Sequence, residues 1–331
     1  MIIMNYITGL AVFLSILLNG NFLWTCMEKR SFTSGGISYD IYSPHKDAKK
    51  VLLLAHGMNR AGKNGNELVH FAETLARAGV IVFMPQNKGL ENFYMGRPEV
   101  NDMRMAIDKM IELFPDKRKG VMTFCLANGV VAAALDGGRR EKLDYIVLWG
   151  SYADTKDVMM FNLTGRYIVG NNSLYTKPTR AVRSHYVNFL VPAEKKDVRA
   201  AIKNGSADRL NREDAAVYNF ITNSDYKKYD YYYARLPDSY HVWANEMSVE
   251  NRIKDIKCNV LFIHSRQDKI IPYYETLKLY GLCGSKHKEI FLPDLFDHFA
   301  QLSLKGLSWK ELFYINHLFT YYRFVVSLLN V

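Results

Sequence analysis

Short apolar runs alternating with stretches of helical periodicity restrict this chain more than any other feature. VLLLA (51–55), VIVFM (80–84), VMTF (121–124) and YIVLW (145–149) are too short for helices and too continuous for half-exposed strands. Runs of this kind suit strands buried on both faces, which is the habit of a parallel sheet. Between them lie helical stretches. Residues 67–77 put Leu68, Phe71, Leu75 and Ala76 on one face, with Gly79 closing the turn. A second stretch begins at Asn101-Asp102, where Asp102 suits a cap or a first-turn charge. It carries Met105, Ile107, Met110, Ile111 and Leu113 and stops at Pro115. A third covers 129–135. An alternating strand at 37–42 precedes the series, and strand patterns return at 260–263 and 289–292. Right-handed βαβ crossovers follow, so the expected fold class is α/β: a mostly parallel sheet flanked by helices.

With 331 residues, 49% of them hydrophobic, the chain can bury a large core, which excludes a disordered polymer. The net charge of +10 is spread over short patches, among them Lys117-Arg118-Lys119 and Lys195-Lys196. No nucleic-acid motif accompanies them; such patches read as solvated faces that also suit anionic lipid headgroups. Cys26, Cys125, Cys258 and Cys283 show neither metal-ligand spacing nor a CxxC pair, so they are expected as reduced thiols. No cofactor or metal motif is present, and no internal repeat.

Residues 2–26 contain no charge. A helix of about 23 residues would span roughly 35 Å, and Lys29-Arg30 follows at once. The expectation is an N-terminal hydrophobic membrane anchor over 1–28 with the body facing the cytoplasm. The alternative is export after signal-peptide cleavage, although neither a basic leader nor an A-x-A-like site is present. The N-x-S/T tripeptides at Asn162, Asn171 and Asn204 would matter only for an exported body. The sheet pattern occupies 31–155 and 255–331. Residues 156–254, rich in charge and tyrosine, read as a helical insertion whose aromatics pack on the core or line an apolar pocket. Residues 309–331 read as a hydrophobic terminal helix.

The stretch GVMTFCLANGVVAAAL (120–135) sets Cys125 between a strand and a helix. There a helix N-terminus points N–H groups at the side chain. Together with LLLAHGMNRAGK, LFIHSRQDKIIPYYETLKL and FLPDLFDHFAQL, this layout resembles the α/β-hydrolase superfamily over most of 37–155 and 255–305. Cysteine at the elbow is similar to the dienelactone-hydrolase branch. The resemblance implies a nucleophile, acid and base at Cys125, Asp268 and His298, in the chain order of that fold. It implies oxyanion N–H donors at Met58 and Leu126, His56 as support of the oxyanion loop, and a cap formed by the insertion. The implied activity is hydrolysis of a carboxylic ester, thioester or lactone through a cysteine acyl-enzyme, on a small acyl ester or lipid-like substrate. An acyltransferase with the same triad and an inactive pseudo-hydrolase serving as a binding module are the alternatives.

Other side chains carry lesser expectations. Asp297 could stand in as the acid, and His264 reads as a packing residue at a strand end. Arg60 and Lys63 could bind a substrate carboxylate. Thr123 and Ala127 stand where the elbow pattern has glycine, with Asn128 next and Gly only at 129, which predicts a turn made less freely.

Overall fold

The structure, a computed structural model, describes residues 2–18, 20–169, 172–177, 186–187, 190–191, 195–294 and 315–331. The strands of its main sheet are β1 (Met27–Ser34), β2 (Ile37–Pro44), β3 (Lys50–Ala55), β4 (Val80–Pro85), β5 (Arg118–Phe124) and β6 (Tyr145–Trp149). β7 (Arg166–Val169) and β8 (Asn172–Tyr175) form a separate antiparallel hairpin, and β9 (Asn259–Ile263) and β10 (Lys288–Phe291) complete the main sheet. Its order is β1-β2-β4-β3-β5-β6-β9-β10; β2 runs antiparallel to both β1 and β4, and the other pairs are parallel. The expected α/β class is therefore what the chain forms. β3, β4, β5 and β6 are almost entirely buried, as continuous apolar runs require.

The longer helices are α1 (Ile2–Leu18), α2 (Asn66–Arg77), α3 (Arg97–Leu113), α4 (Ala127–Ala134), α5 (Thr155–Thr164), α6 (Lys196–Asn204), α7 (Arg212–Thr222), α8 (Asp238–Met247), α9 (Tyr273–Leu282) and α10 (Ile315–Asn330). One apolar cluster joins α3 and α4 to the sheet, and a second joins α1, α2 and α10 to it. The third helix starts earlier than Asn101. Gly96 precedes it and Pro98 occupies its first turn, so Asp102 lies inside the helix, where burial raises its carboxyl pKa.

One strand and the N-terminal segment bear on the sequence expectations. β1 was not anticipated: its outer residues are charged because it is the edge strand, and Met27 to Ser34 pair along β2. Over 1–28, where an anchor is expected, the described helix is α1, 17 residues long. At 1.5 Å per residue it covers about 26 Å, short of the roughly 30 Å hydrocarbon core. Among the described residues no helix is long and apolar enough to cross a membrane. Asn19-Gly20-Asn21 ends the run, with Gly20 N–H donating to Ser15 O. Val12 and Phe13 are buried, and the Phe13 ring meets Tyr321 and Tyr322 of α10. Gly9 makes the approach possible, since a Cβ there would lie 2.8 Å from Val326 Cγ2.

The insertion between β6 and β9 contains helices and the β7–β8 hairpin. Its aromatics form a cluster of their own around Phe220, Tyr229 and Tyr233, separate from the two clusters on the sheet. Glu275 on α9 ties its root to the core. Its carboxylate accepts the N–H groups of Ala153 (2.7 Å) and Asp154 (2.9 Å) and the hydroxyl of Tyr167. Burial raises its pKa to about 7, against the lowering effect of those donors, and the nearby Asp157 adds to the rise. A carboxyl raised in the folded state stabilises the fold in its protonated form, and that contribution is lost as pH climbs through about 7. The unfolding midpoint of the protein should accordingly fall as pH rises from about 4.5 to about 7, and Glu275→Gln should flatten that slope. Thermal unfolding at stepped pH measures both; equal slopes in the two proteins would contradict the assignment.

Candidate active site

β5 ends at Phe124 and α4 begins at Ala127, so Cys125 occupies a turn between them. Its φ is +55°, in the left-handed region that a residue with a Cβ enters only when its surroundings hold it there. Four hydrogen bonds supply the hold. Cys125 N–H donates to Trp149 O (3.0 Å), Asn128 N–H donates to Cys125 O (3.1 Å), and the Asn128 side-chain amide donates to Cys125 O and Trp149 O. Asn128 is wholly buried, so these bonds face no competition from water. Asn128→Ala should cost about 1–3 kcal/mol of stability. It should also slow alkylation of Cys125 relative to Cys26, a ratio that mass spectrometry reads directly; an unchanged ratio would show that Asn128 does not hold the turn.

The glycine requirement of the turn is met at Gly129, two residues later than the usual pattern. A Cβ at Gly129 would lie 2.1 Å from Tyr152 Oη and 2.3 Å from Met247 O. Tyr152 is fully buried and its hydroxyl donates to Met247 O (2.8 Å), so the start of α4 is packed directly against the root of the insertion. Thr123, where the pattern has glycine, sits in the β5 ladder opposite Ala55 and Leu148. Its β-branched side chain suits a strand, but its Oγ1 is buried with no hydrogen-bond partner among the described residues.

The β3 loop lies against this turn: a Cβ at Gly57 would stand 3.6 Å from Cys125 Cβ. His56 fixes the loop's orientation. Its Nε2 accepts Asn87 N–H (3.0 Å), so its Nδ1 carries the hydrogen and donates to Gly57 O (2.8 Å). Burial lowers its pKa, which keeps the ring neutral. Across a trans peptide the N–H points opposite to the C=O. With Gly57 O turned to His56, Met58 N–H is turned away from it. Leu126, at the start of α4, carries the other N–H of the expected oxyanion pair. The sequence-expected His56, Gly57, Met58, Cys125 and Leu126 are thus brought together.

Asp268 follows β9, which is separated from β5 only by β6, at the same edge of the sheet. Its Oδ1 accepts Ile270 N–H (2.8 Å) and Ile271 N–H (2.9 Å), and its Oδ2 lies 3.2 Å from His264 Nε2. His264 Nε2 also faces Ile271 O at 3.0 Å, so it carries the hydrogen, while Nδ1 meets Thr276 Oγ1 at 2.6 Å. His264 is therefore more than packing: it orients the Asp268 loop. His298 and Asp297 lie outside the described residues.

Lys63 is a correction. Its ammonium is buried on Asp40 Oδ1 at 2.7 Å, which leaves it unavailable to a substrate. The cause is tertiary: Asp40, on β2, also binds Lys29 and Ser31. Arg60 is exposed and lies over the Phe93 ring, 5.6 Å from its centroid. From the insertion, Tyr186 is buried. Burial holds that phenol well above its usual range, and Cys125 and Tyr152 add to the effect. Neither Tyr186 nor Tyr152 was singled out from sequence, where nothing separates them from the other tyrosines.

No protein-family model matches the chain, and no curated protein matches it. Solved structures do. The acylaminoacyl peptidase of Pyrococcus horikoshii is similar at 14% identity with a TM-score of 0.52, over 86% of this chain and 39% of that chain. An acylaminoacyl peptidase in complex with Z-Gly-Gly-Phe-chloromethyl ketone is similar at 12% identity with a TM-score of 0.52, over 92% of this chain and 41% of that chain. The chain thus spans about two fifths of the length of these peptidase chains. At such identities the likeness is one of architecture: these neighbours are α/β-hydrolase fold proteins, and the parallel sheet with its flanking helices fits that fold.

Proposed function

We propose that the protein is a hydrolase that cleaves an acyl ester, thioester or lactone through a covalent intermediate on Cys125. The observation that carries this reading is the backbone of Cys125 itself: a non-glycine residue at φ +55°, between a buried strand and a helix N-terminus, with Gly57 of the neighbouring loop against its Cβ. Strain of this kind is costly and is retained where it positions a reacting atom. The hydrolase fold of the neighbours supports the reaction class.

In the proposed reaction Cys125 Sγ attacks the acyl carbonyl carbon, and its proton passes to His298. The carbonyl oxygen becomes an oxyanion between Met58 N–H and Leu126 N–H, where a donor typically contributes about 3–4 kcal/mol. The C–O or C–S bond then breaks, His298 returns the proton to the leaving group, and the acyl group remains on sulfur as a thioester. Water, giving a proton to His298, attacks the thioester; the C–S bond breaks, the acid leaves, and His298 returns the proton to Cys125 Sγ. Asp268 keeps the imidazole in the tautomer this cycle needs. The insertion acts as the cap and its aromatics give the acyl group an apolar wall. A small acyl ester probe should label Cys125 faster than Cys258 or Cys283, as read by peptide mass spectrometry. Equal labelling of the three would sink the nucleophile assignment.

A further inference from the structure

The outer side of α1 departs from what a surface helix normally shows. Its 17 residues carry no charge, and the side away from Val12 and Phe13 exposes Ile7 at 65% and Leu10 at 48%. The segment that follows exposes Phe22 and leaves Trp24 97% accessible. α10, packed beside α1, adds Phe319 at 58%, with Arg323 one turn further on. A helix that buries one apolar stripe in protein ordinarily shows polar residues to water; this one shows more apolar side chains.

The surroundings say which partner fits. Beside Phe319 a groove of about 780 Å³ is lined by Lys286, His287, Lys288, Glu289 and Arg323. Lys288 is turned to the carbonyls of Tyr280 and Cys283, and Glu289 accepts a hydrogen bond from Ser327. Lys286 and Arg323 have no ion pair among the described residues. At the other end Arg77 donates to the carbonyl of Thr25, the residue after Trp24, at 2.7 Å. Apolar side chains with an indole among them, flanked by cations, match the boundary between acyl chains and anionic headgroups. A second copy of this chain matches poorly, because a two-fold interface would set these cations against themselves in a protein of net charge +10.

We propose that α1, with Phe22, Trp24 and Phe319, docks in the plane of an anionic lipid surface, with Arg323 and Lys286 facing the headgroups. This is an in-plane contact and requires no membrane-crossing segment. It stands apart from the reaction assigned to Cys125, and its test does not use turnover.

The test is sedimentation of the intact protein with vesicles of phosphatidylcholine alone or mixed with phosphatidylglycerol, with indole emission recorded in parallel. Binding to the anionic vesicles is expected, weakened by salt, with a blue shift and loss of acrylamide quenching that disappear in Trp24→Phe. Ile7→Glu/Leu10→Glu should lower the partition coefficient by about tenfold or more, while Arg323→Gln should lower binding only to the anionic vesicles. If the double variant fails to fold, Trp24→Ser on the exposed segment carries the same expectation. Absence of binding to both vesicles, or equal binding by wild type and variants, would overturn the proposal. A concentration-dependent dimer abolished by Ile7→Glu, with no vesicle binding, would assign the face to a second copy and equally overturn it.

Discussion

Cys125→Ala should abolish turnover of short acyl esters, by roughly 10³-fold or more in kcat/KM. The expectation rests on geometry already described: Cys125 sits at φ +55°, at the mouth of a helix, against Gly57 of the loop that His56 holds. Removing Sγ leaves that frame intact, because the bonds holding the turn use only the backbone of residue 125 and the Asn128 amide. The variant should therefore keep its unfolding midpoint while losing its activity. Cys125→Ser should retain part of the turnover, since a hydroxyl in the same place can be activated by the same imidazole. Steady-state kinetics on the three proteins, with thermal unfolding alongside, gives the answer. Full activity in Cys125→Ala would remove the residue from the reaction. Inactivity of the wild type on every ester, thioester and lactone tried would favour the binding-module alternative.

The largest structural effect is expected at Gly129. In Gly129→Ala the new Cβ would meet Tyr152 Oη at 2.1 Å and, more seriously, Met247 O at 2.3 Å. The tyrosine can move its ring; the Met247 carbonyl belongs to backbone and cannot move alone. Overpacking of this kind costs about 3 kcal/mol, which in a chain of this length should lower the unfolding midpoint by roughly 4 °C. Tyr152→Phe in the same chain removes one of the two collisions and should restore only part of the loss. Complete restoration would mean that the backbone contact is unimportant. In Gly129→Ala the start of α4 has to shift, so alkylation of Cys125 should slow as well, although the thiol itself is untouched.

The fold was legible because its central strands are buried on both faces and therefore written as continuous apolar runs, which few other structures produce. β1 escaped notice for the opposite reason: Glu28, Lys29 and Arg30 face solvent from an edge strand, and their composition looks like a flank to the apolar segment before them. The start of α3 was misplaced because Asn101-Asp102 resembles a cap, while Pro98 marked the true first turn. At the site, the position of Cys125 was visible as a strand–helix junction. Which glycine mattered was not, because the close approach is made to Tyr152 and Met247, distant in sequence. Lys63 and Asp40 illustrate the same limit, for their pairing depends on how β2 is placed beside the β3 loop. Glu275 was missed because a lone glutamate on a helix announces neither its burial nor the two N–H groups of Ala153 and Asp154 that await it.

The ladder between β3 and β5 has one more consequence. Ala55 pairs with Thr123, and two residues beyond each lie Gly57 and Cys125. The loop and the thiol therefore arrive at one another only when two strands remote in sequence have found each other in parallel and in the right register. Pairing of this sort is among the slower events in folding, since a long loop must close before any contact rewards it. A chain collapsed but unpaired carries an ordinary cysteine. If Cys125 has the reactivity proposed for it, the rate at which that reactivity appears after dilution from denaturant is a clock for assembly of the sheet, readable at a single sulfur atom.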